Sequence, residues 1–192
     1  PQQLMAAERE IIEEAYAGDI IGVFDPGIFS IGDTLCAPGK KFRFDPIPTF
    51  APEHFKRVRS LDTMKRKQFL KGMEQIAQEG AIQIFKTPYT GMEEVIVGVV
   101  GTLQFDVLEY RLKNEYNVEL YMEGLPYEYL RWIETDDGEP VKEEDLILGT
   151  DVKLVEDYKG NQLLLFGSQW AIGWTEERNK NLTFHEFGGT KF

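Results

Sequence analysis

The chain has 192 residues, a formal net charge of −12 and an isoelectric point near 4.7. Hydrophobic residues make up 42% and aromatic residues 12%, which excludes a disordered chain and allows one or two folded domains. One cysteine and two histidines exclude an internal disulfide and provide too few ligands for a soft-metal site.

The sequence contains no membrane or secretion signal. It has no run of about 18 apolar residues and no charged-then-apolar leader. With a single unpaired cysteine, this pattern predicts a cytoplasmic protein with no membrane partner. The chain begins at Pro1 rather than at methionine, so we expect it to be a piece of a longer protein.

Turn pairs recur in the first 44 residues and separate short β-branched runs. They predict strands at residues 20–24, 28–29 and 34–36, as in a barrel or sandwich. About forty residues provide too few strands to close a barrel. We therefore expect residues 1–47 to be the last strands of a β-barrel domain. Residues 8–16 fit either a helix or a strand.

A stiff connector follows, because Pro46, Pro48 and Pro52 each fix φ and disfavour a preceding helix. We place a domain boundary here, with a second domain over residues 48–192. Residues 54–61 then read as a strand with one basic face. Asp62 predicts the start of a helix that runs to residue 79 and ends at Gly80.

Two further strands and a second helix complete a recognisable order. Residues 81–85 and 95–101 are strand-like, with a loop at 87–93 between them. A helix over residues 102–116 is expected to bury its apolar side chains, and residues 117–123 alternate as in a half-buried strand. The order β-α-β-β-α-β predicts an α+β fold of the ferredoxin-like split βαβ type. The buried side chains expected on the second helix are Leu103, Phe105, Val107, Leu108 and Leu112.

Beyond Gly124 the pattern predicts a β-rich extension that lengthens or flanks the sheet. Residues 127–134, 151–158, 163–166 and 169–174 read as strands, and Lys159-Gly160-Asn161 as a hairpin turn. Residues 135–145 form an acidic loop. We expect residues 187–192 to be frayed.

Positive charge is concentrated in residues 40–71, which hold ten Lys and Arg against three Asp and Glu. The rest of the chain is therefore strongly acidic. This segregation is compatible with one basic face that meets RNA phosphate or an acidic protein, and equally with an ordinary solvated helix flank.

No catalytic motif is present. The sequence has no P-loop, no Gly-x-Ser-x-Gly, no His-Glu-x-x-His and no dinucleotide-binding fingerprint, so we predict that this part of the protein is not an enzyme. Gly98-Val99-Val100-Gly101 could cradle a phosphate ahead of a helix, but close packing and a helix cap are favoured. We expect Cys36 to be a small buried residue, and His54 and His185 to be satisfied or exposed histidines rather than members of a catalytic dyad.

Several segments resemble the bacterial peptide chain release factor 3 family of translational GTPases. The most specific are Phe50-Ala51-Pro52-Glu53 and Gly101-Thr102-Leu103-Gln104-Phe105-Asp106-Val107. Residues 17–22, 67–72 and 79–85 also match, so that the resemblance covers most of residues 3–123. It implies the carboxy-terminal portion of a factor that helps to remove class I release factors in translation termination.

The resemblance also implies the partners and cofactors. GTP or GDP and Mg would belong to a GTPase domain before Pro1, and this portion would bind no cofactor or metal. It would dock on the small ribosomal subunit, through rRNA and protein, and relay nucleotide-dependent movement from its own GTPase domain, acting on class I release factors indirectly. We hypothesise that the docking charge comes from Lys56, Arg57, Arg59, Lys65, Arg66, Lys67 and Lys71.

Two other classes of protein remain open. One is a fragment of another translational GTPase, of the elongation or ribosomal-protection type. The other is a stand-alone ferredoxin-like module that binds a small ligand or dimerises through a sheet edge. The unfinished barrel before Pro46 disfavours the second, because an independent protein would rarely begin with half a domain.

Overall fold

The computed structural model describes residues 2–5, 8–26, 28–29, 31–45, 50–88 and 94–186. They form an α+β fold with a two-stranded sheet and an eight-stranded antiparallel sheet. In these ranges no helix combines the length and the apolar character needed to cross a membrane. The expected boundary between residues 47 and 48, Pro46, Pro48, most of the loop at 87–93 and the end at 187–192 lie outside the described residues.

The predicted β-α-β-β-α-β order is observed between His54 and Gly124. All strand pairs are antiparallel, and the spatial order of the four strands is β6-β3-β5-β4. Two strands precede this unit, β1 (Gln2–Met5) and β2 (Glu8–Ile11). The unit itself consists of β3 (His54–Ser60), α1 (Arg66–Gln78), β4 (Gln83–Lys86), β5 (Glu94–Val99), α2 (Leu103–Tyr116) and β6 (Leu120–Gly124).

The ends of α1 follow the predicted signals with a shift at the start. The Asp62 carboxylate accepts a hydrogen bond from the Met64 amide and caps a 3₁₀ turn, Thr63–Lys65, so that α1 itself begins only at Arg66. Gly80 follows the helix with φ of 76°, a left-handed conformation that glycine adopts without strain.

Both helices pack on one face of the sheet and enclose its first core. This core includes Val58 and Val97 from the sheet with Phe69, Met73 and Leu108 from the helices. Their burial drives the packing of both helices, since each buried side chain of this size contributes about 1.5–3 kcal/mol.

The prediction for the buried face of α2 is wrong in part. Phe105, Leu108 and Leu112 are buried, whereas Leu103 is 74% exposed and Val107 is half exposed. The helix carries two apolar stripes at helical spacing, and only one can face the sheet. Apolar periodicity alone does not say which of the two it is.

The second half of the chain extends the same sheet, as predicted, because β8 pairs with β4. The complete order is β10-β7-β9-β8-β4-β5-β3-β6. The elements are β7 (Tyr129–Thr135), β8 (Val152–Asp157), β9 (Gln162–Phe166), α3 (Gln169–Arg178) and β10 (Leu182–His185).

Two predictions in this half need correction. Residues 169–174, expected as a strand, begin α3, and β10 was not predicted. The Ser168 side chain accepts a hydrogen bond from the Ala171 amide and caps the helix. Ala171, Ile172 and Thr175 are buried on one side of α3, which is helical rather than alternating spacing.

The eight-stranded sheet is strongly coiled. Only residues 125–128 join β6, at one edge, to β7, the second strand from the other edge. In a flat sheet these strands would lie about 29 Å apart, whereas five Cα steps reach at most about 19 Å. The sheet therefore folds over the face that α1 and α2 leave open. This enclosed core consists of Phe55, Phe85, Ile96, Leu130, Trp132, Val155, Leu163 and Leu165.

The N-terminal segment contains fewer strands than predicted. β1 and β2 pair with each other, which resolves the ambiguity at residues 8–11 in favour of a strand. In the described part of residues 12–45, no strand forms, so the strands expected at 20–24, 28–29 and 34–36 are not found there. Ile20 and Phe24 are 87% and 90% exposed. A strand needs a hydrogen-bonded neighbour along its length, and among the described residues of these runs only Gly22 forms a single β-bridge. The prediction that Cys36 is buried is wrong, because the described part of this segment packs against no core and leaves the thiol exposed.

Candidate functional site

The seven predicted docking residues do not share one face. On β3, Val58 packs under the helices while Phe55 belongs to the enclosed core on the opposite side. Because side chains alternate along a strand, Arg57 and Arg59 lie on the Phe55 side and Lys56 lies on the helix side. The seven residues therefore do not form a single basic face, and their contact with the ribosome stays a prediction.

The three basic residues of β3 have contacts within the chain. The Lys56 ammonium lies 4.4 Å from the centre of the buried Phe105 ring. Arg57 pairs with Glu123 at 3.2 Å, and the Arg59 guanidinium lies 4.7 Å from the Tyr121 ring. Both arginines thus connect β3 to the edge strand β6. These contacts indicate a part in holding the sheet edge.

The remaining four residues cluster at the start of α1. Arg66, Lys67 and Lys71 are exposed, and the Lys65 ammonium donates a 2.6 Å hydrogen bond to the Asn117 carbonyl at the end of α2. The first turn of α1 contains no acidic residue. We call Lys65, Arg66, Lys67 and Lys71 the α1 basic cluster.

The position of this cluster is electrostatically unfavourable. A helix N-terminus carries about half a positive charge, so that cations there cost about 0.3–1 kcal/mol each instead of stabilising the helix. The Asn117 carbonyl at the end of α2 compensates for the charge of Lys65. Within the described residues, Lys67 and Lys71 have no ion pair. An anion bound at this surface would relieve the repulsion.

Close helix packing keeps the cluster in place. A Cβ atom at Gly72 would lie 2.4 Å from Leu112 Cδ2 and 3.0 Å from the Tyr116 ring, so only glycine permits this approach of α1 to α2. The Tyr116 hydroxyl also donates a 2.7 Å hydrogen bond to Gln75. The basic side chains therefore project from a rigid helix pair.

An ion-pair network joins the same two helices further along. Arg111 on α2 bonds to Glu79 beyond the end of α1 and to Glu115 at 2.8 Å. Hydrogen bonds to Glu115 and then Glu79 raise the pKa of the Arg111 guanidinium, and the bond from Arg111 lowers the pKa of Glu115. The stabilisation from Glu115 is therefore present above the usual carboxyl pKa and is lost as the pH falls and the group protonates.

The turn before α2 is closed by its own chain. The Gln104 side-chain oxygen accepts hydrogen bonds from the Val100 and Gly101 amides, both at 3.0 Å, and its amide donates to the Ala81 carbonyl at 2.7 Å. The amides that a phosphate would need are thus occupied. The structure supports the packing and capping interpretation of this glycine-containing turn.

Replacing Gln104 with alanine should lower the free energy of unfolding by about 1–3 kcal/mol. The substitution removes three hydrogen bonds. It also leaves the partly buried Ala81 carbonyl without the Gln104 amide that donates to it. Urea unfolding followed by circular dichroism measures this change. A loss below about 0.5 kcal/mol would contradict a structural role for Gln104.

Neither a nucleotide-binding motif in the sequence nor a metal-binding cluster among the described residues marks a site. The sequence contains no P-loop, and over the described ranges no group of three or more His, Cys, Asp or Glu could hold a metal ion. The candidate site is therefore a surface, with the α1 basic cluster as its strongest feature.

Comparison with known proteins assigns the chain to a family. A model described as class II release factor RF3, C-terminal domain, matches residues 44–176, more than half of the chain. The chain belongs to the release factor 3 family. The match continues well beyond residue 123, where the sequence resemblance ended. A second model, elongation factor G domain 2, matches residues 1–38.

Curated relatives agree with this assignment. Peptide chain release factor 3 of Symbiobacterium thermophilum is 50% identical over 184 residues, which cover 96% of this chain and 34% of that protein. The proteins of the same name from Gloeobacter violaceus and Listeria welshimeri are each 44% identical, over 96% and 94% of this chain. The chain spans about a third of the length of these release factors.

Proposed function

We propose that this chain is the carboxy-terminal portion of a ribosome-dependent GTPase in translation termination, and that it docks on the small ribosomal subunit. Its membership of the release factor 3 family supports the proposal. In the whole protein it would relay nucleotide-dependent movement that helps to recycle class I release factors. Such a factor would work in the cytoplasm.

The α1 basic cluster is the observation that best supports docking on RNA. It places three cations at a helix N-terminus and a fourth, Lys71, on the next turn, in a chain whose net charge is −12. Such an arrangement costs folding free energy in the isolated chain and gains it when phosphate binds. Each phosphate contact also releases counterions, so binding should weaken with salt.

The proposal includes a finer description of the fold. We assign residues 54–124 to the ferredoxin-like type, because the spatial order β6-β3-β5-β4 and two helices on one face are its pattern. We assign residues 1–47 to the end of a β-barrel domain and residues 48–192 to a following α+β domain. The elongation factor G domain 2 match and the exposed apolar side chains of residues 20–24 support a barrel.

The nucleotide would bind elsewhere in the longer protein. We propose that GTP or GDP and Mg belong to a preceding GTPase domain, which would also contact this portion directly. This portion would have no catalytic role of its own. The curated relatives are about three times as long as the chain, which leaves room for such a domain.

Sedimentation with purified 30S subunits, beside binding of a fluorescent guanine nucleotide, tests this proposal. We expect co-sedimentation at 50 mM salt that weakens about a hundredfold by 200 mM, as four phosphate contacts would produce. We expect no nucleotide binding. Equal binding to 30S and 50S subunits, or tight nucleotide binding, would contradict the proposal.

A further inference from the structure

The outer side of α2 carries a row of exposed apolar side chains. Leu103, Val107 and Tyr110 are spaced four and three residues apart, so they follow one another along one side of the helix. They are 74%, 48% and 69% exposed. This side is opposite to the one that packs on the sheet through Leu108 and Leu112. We call Leu103, Val107 and Tyr110 the outer stripe.

Folding of this chain does not account for the outer stripe. A helix that packs on a sheet buries one side and usually carries polar residues on the other. On α2 the outer side instead leaves a continuous apolar surface in water. Single exposed apolar residues are ordinary, but continuous apolar surfaces mark places where another surface binds. We therefore expect another part of the protein, or a partner, to cover the stripe.

Charge along the stripe does not suit RNA. The charged residues within 103–110 are Asp106 and Glu109, both exposed acids that would repel phosphate. The α1 basic cluster lies beside the last turn of α2, where Lys65 bonds to the Asn117 carbonyl, whereas the stripe begins at the first turn. The outer surface of the two helices therefore has a basic end and an apolar end.

The apolar end adjoins the place where the N-terminal segment meets the helix pair. Gln104, the neighbour of Leu103, donates a 2.7 Å hydrogen bond to the Ala81 carbonyl. The preceding residue, Gly80, is in contact with the N-terminal segment, since a Cβ atom there would lie 3.0 Å from Ile31 Cδ1. Ile31 belongs to the part of the chain that matches elongation factor G domain 2. The preceding domain thus approaches the helix pair beside the start of the stripe.

We propose that the outer stripe is the surface on which the preceding GTPase domain packs. This inference rests on the function proposed above, because the GTPase domain is part of that proposal. The chain covers 34% of the Symbiobacterium thermophilum relative, so most of a protein of that length lies outside it. The strands that complete the barrel would cover Ile20 and Phe24, which are exposed here. The GTPase domain is then left to cover the stripe, at the end of the helix pair that the N-terminal segment already contacts.

Reaction of single cysteines with a maleimide tests the proposal. In this chain with Cys36→Ser, the variants Leu103→Cys, Val107→Cys and Glu177→Cys should react at similar rates, because all three positions are exposed. In the full-length protein, positions 103 and 107 should react about tenfold more slowly, because burial shields a thiol. Position 177, on α3, is the matched control and should change less than about twofold. Unchanged rates at positions 103 and 107 would overturn the proposal.

Crosslinking identifies what covers the stripe. A photoreactive group at position 107 of the full-length protein, followed by mass spectrometry of the crosslinked peptides, should join α2 to the GTPase domain. Crosslinks to the barrel domain, to a second copy of the protein or, after addition of 30S subunits, to the ribosome alone would each refute the assignment.

Two measurements on the same full-length protein separate this inference from the proposed function. They are binding of a fluorescent guanine nucleotide and co-sedimentation with 30S subunits. If both are found while positions 103 and 107 stay fully reactive, the inference fails and the proposed function stands. If the full-length protein binds no guanine nucleotide, both fail.

Discussion

Replacing Gly98 with alanine is expected to lower the free energy of unfolding by about 3 kcal/mol. A Cβ atom there would lie 2.7 Å from Pro52 Cγ and 2.9 Å from Phe85 Cε2. Pro52 and Phe85 are both buried in a closely packed core. The added methyl group can therefore fit only if β5 or the chain at Pro52 shifts. Chemical denaturation of the variant measures the change.

Gly124→Ala is the matched control, because the same change is made in the same sheet where a Cβ atom would meet nothing within 4 Å. Its stability should stay within about 0.5 kcal/mol of the wild type. If the two variants were equally stable, the close contact of Gly98 with Pro52 and Phe85 would be wrong.

Reversing two charges of the α1 basic cluster should weaken binding to the small ribosomal subunit about a hundredfold at 50 mM salt. The double variant Lys67→Glu and Lys71→Glu removes two phosphate contacts and adds two repulsive ones. The slope of log affinity against log salt should therefore lose the contribution of about two phosphate contacts. Both side chains are exposed, so the fold should persist. Filter binding with 30S subunits over a salt series measures affinity and slope together.

The control variant Lys142→Glu and Lys180→Glu makes the same change in net charge at exposed positions beside Val141 and α3, which share a core separate from that of α1. It should lower the affinity by a few-fold at most, through long-range repulsion alone. Equal losses for the two variants would show that overall charge rather than the cluster determines binding.

The sequence predicts the central unit of the fold well because its signals are local. Asp62 and Gly80 mark the limits of the first helical region, and alternation at residues 117–123 marks β6. The extension of the sheet by β8 was also anticipated. Short joints between such elements leave few alternative arrangements, so that the order along the chain largely determines the layers.

Predictions that depend on distant partners were less successful. Leu103 and Leu108 are both apolar at helical spacing in α2, and only the sheet decides that Leu108 is buried and Leu103 exposed. The sequence around Ile20 and Phe24 is rich in β-branched and aromatic residues and predicts a strand. Such a strand forms only beside a neighbouring strand, which the local sequence does not reveal. Coiling of the sheet could not be predicted, because it follows from the strand order β10-β7-β9-β8-β4.

The candidate site was predicted in part. The basic composition of residues 40–71 pointed to the α1 basic cluster, but strand alternation places Arg57 and Arg59 on the other side of the sheet. Helix α3, with its exposed Trp170, was missed because residues 169–174 were interpreted as a strand. Ser168 as a helix cap and the four-residue spacing of Trp170, Trp174 and Arg178 were the signals that would have revealed it.

Site-specific crosslinking to the small ribosomal subunit tests the proposed docking most directly. After Cys36, the one cysteine and an exposed one, is changed to serine, single cysteines at positions 67 and 180 would each carry a photoreactive group. Docking through the α1 basic cluster predicts that position 67 crosslinks to 16S rRNA in a salt-sensitive manner and that position 180 does not. Equal crosslinking from both positions, or none from position 67 while the chain still co-sediments with 30S subunits, would contradict it.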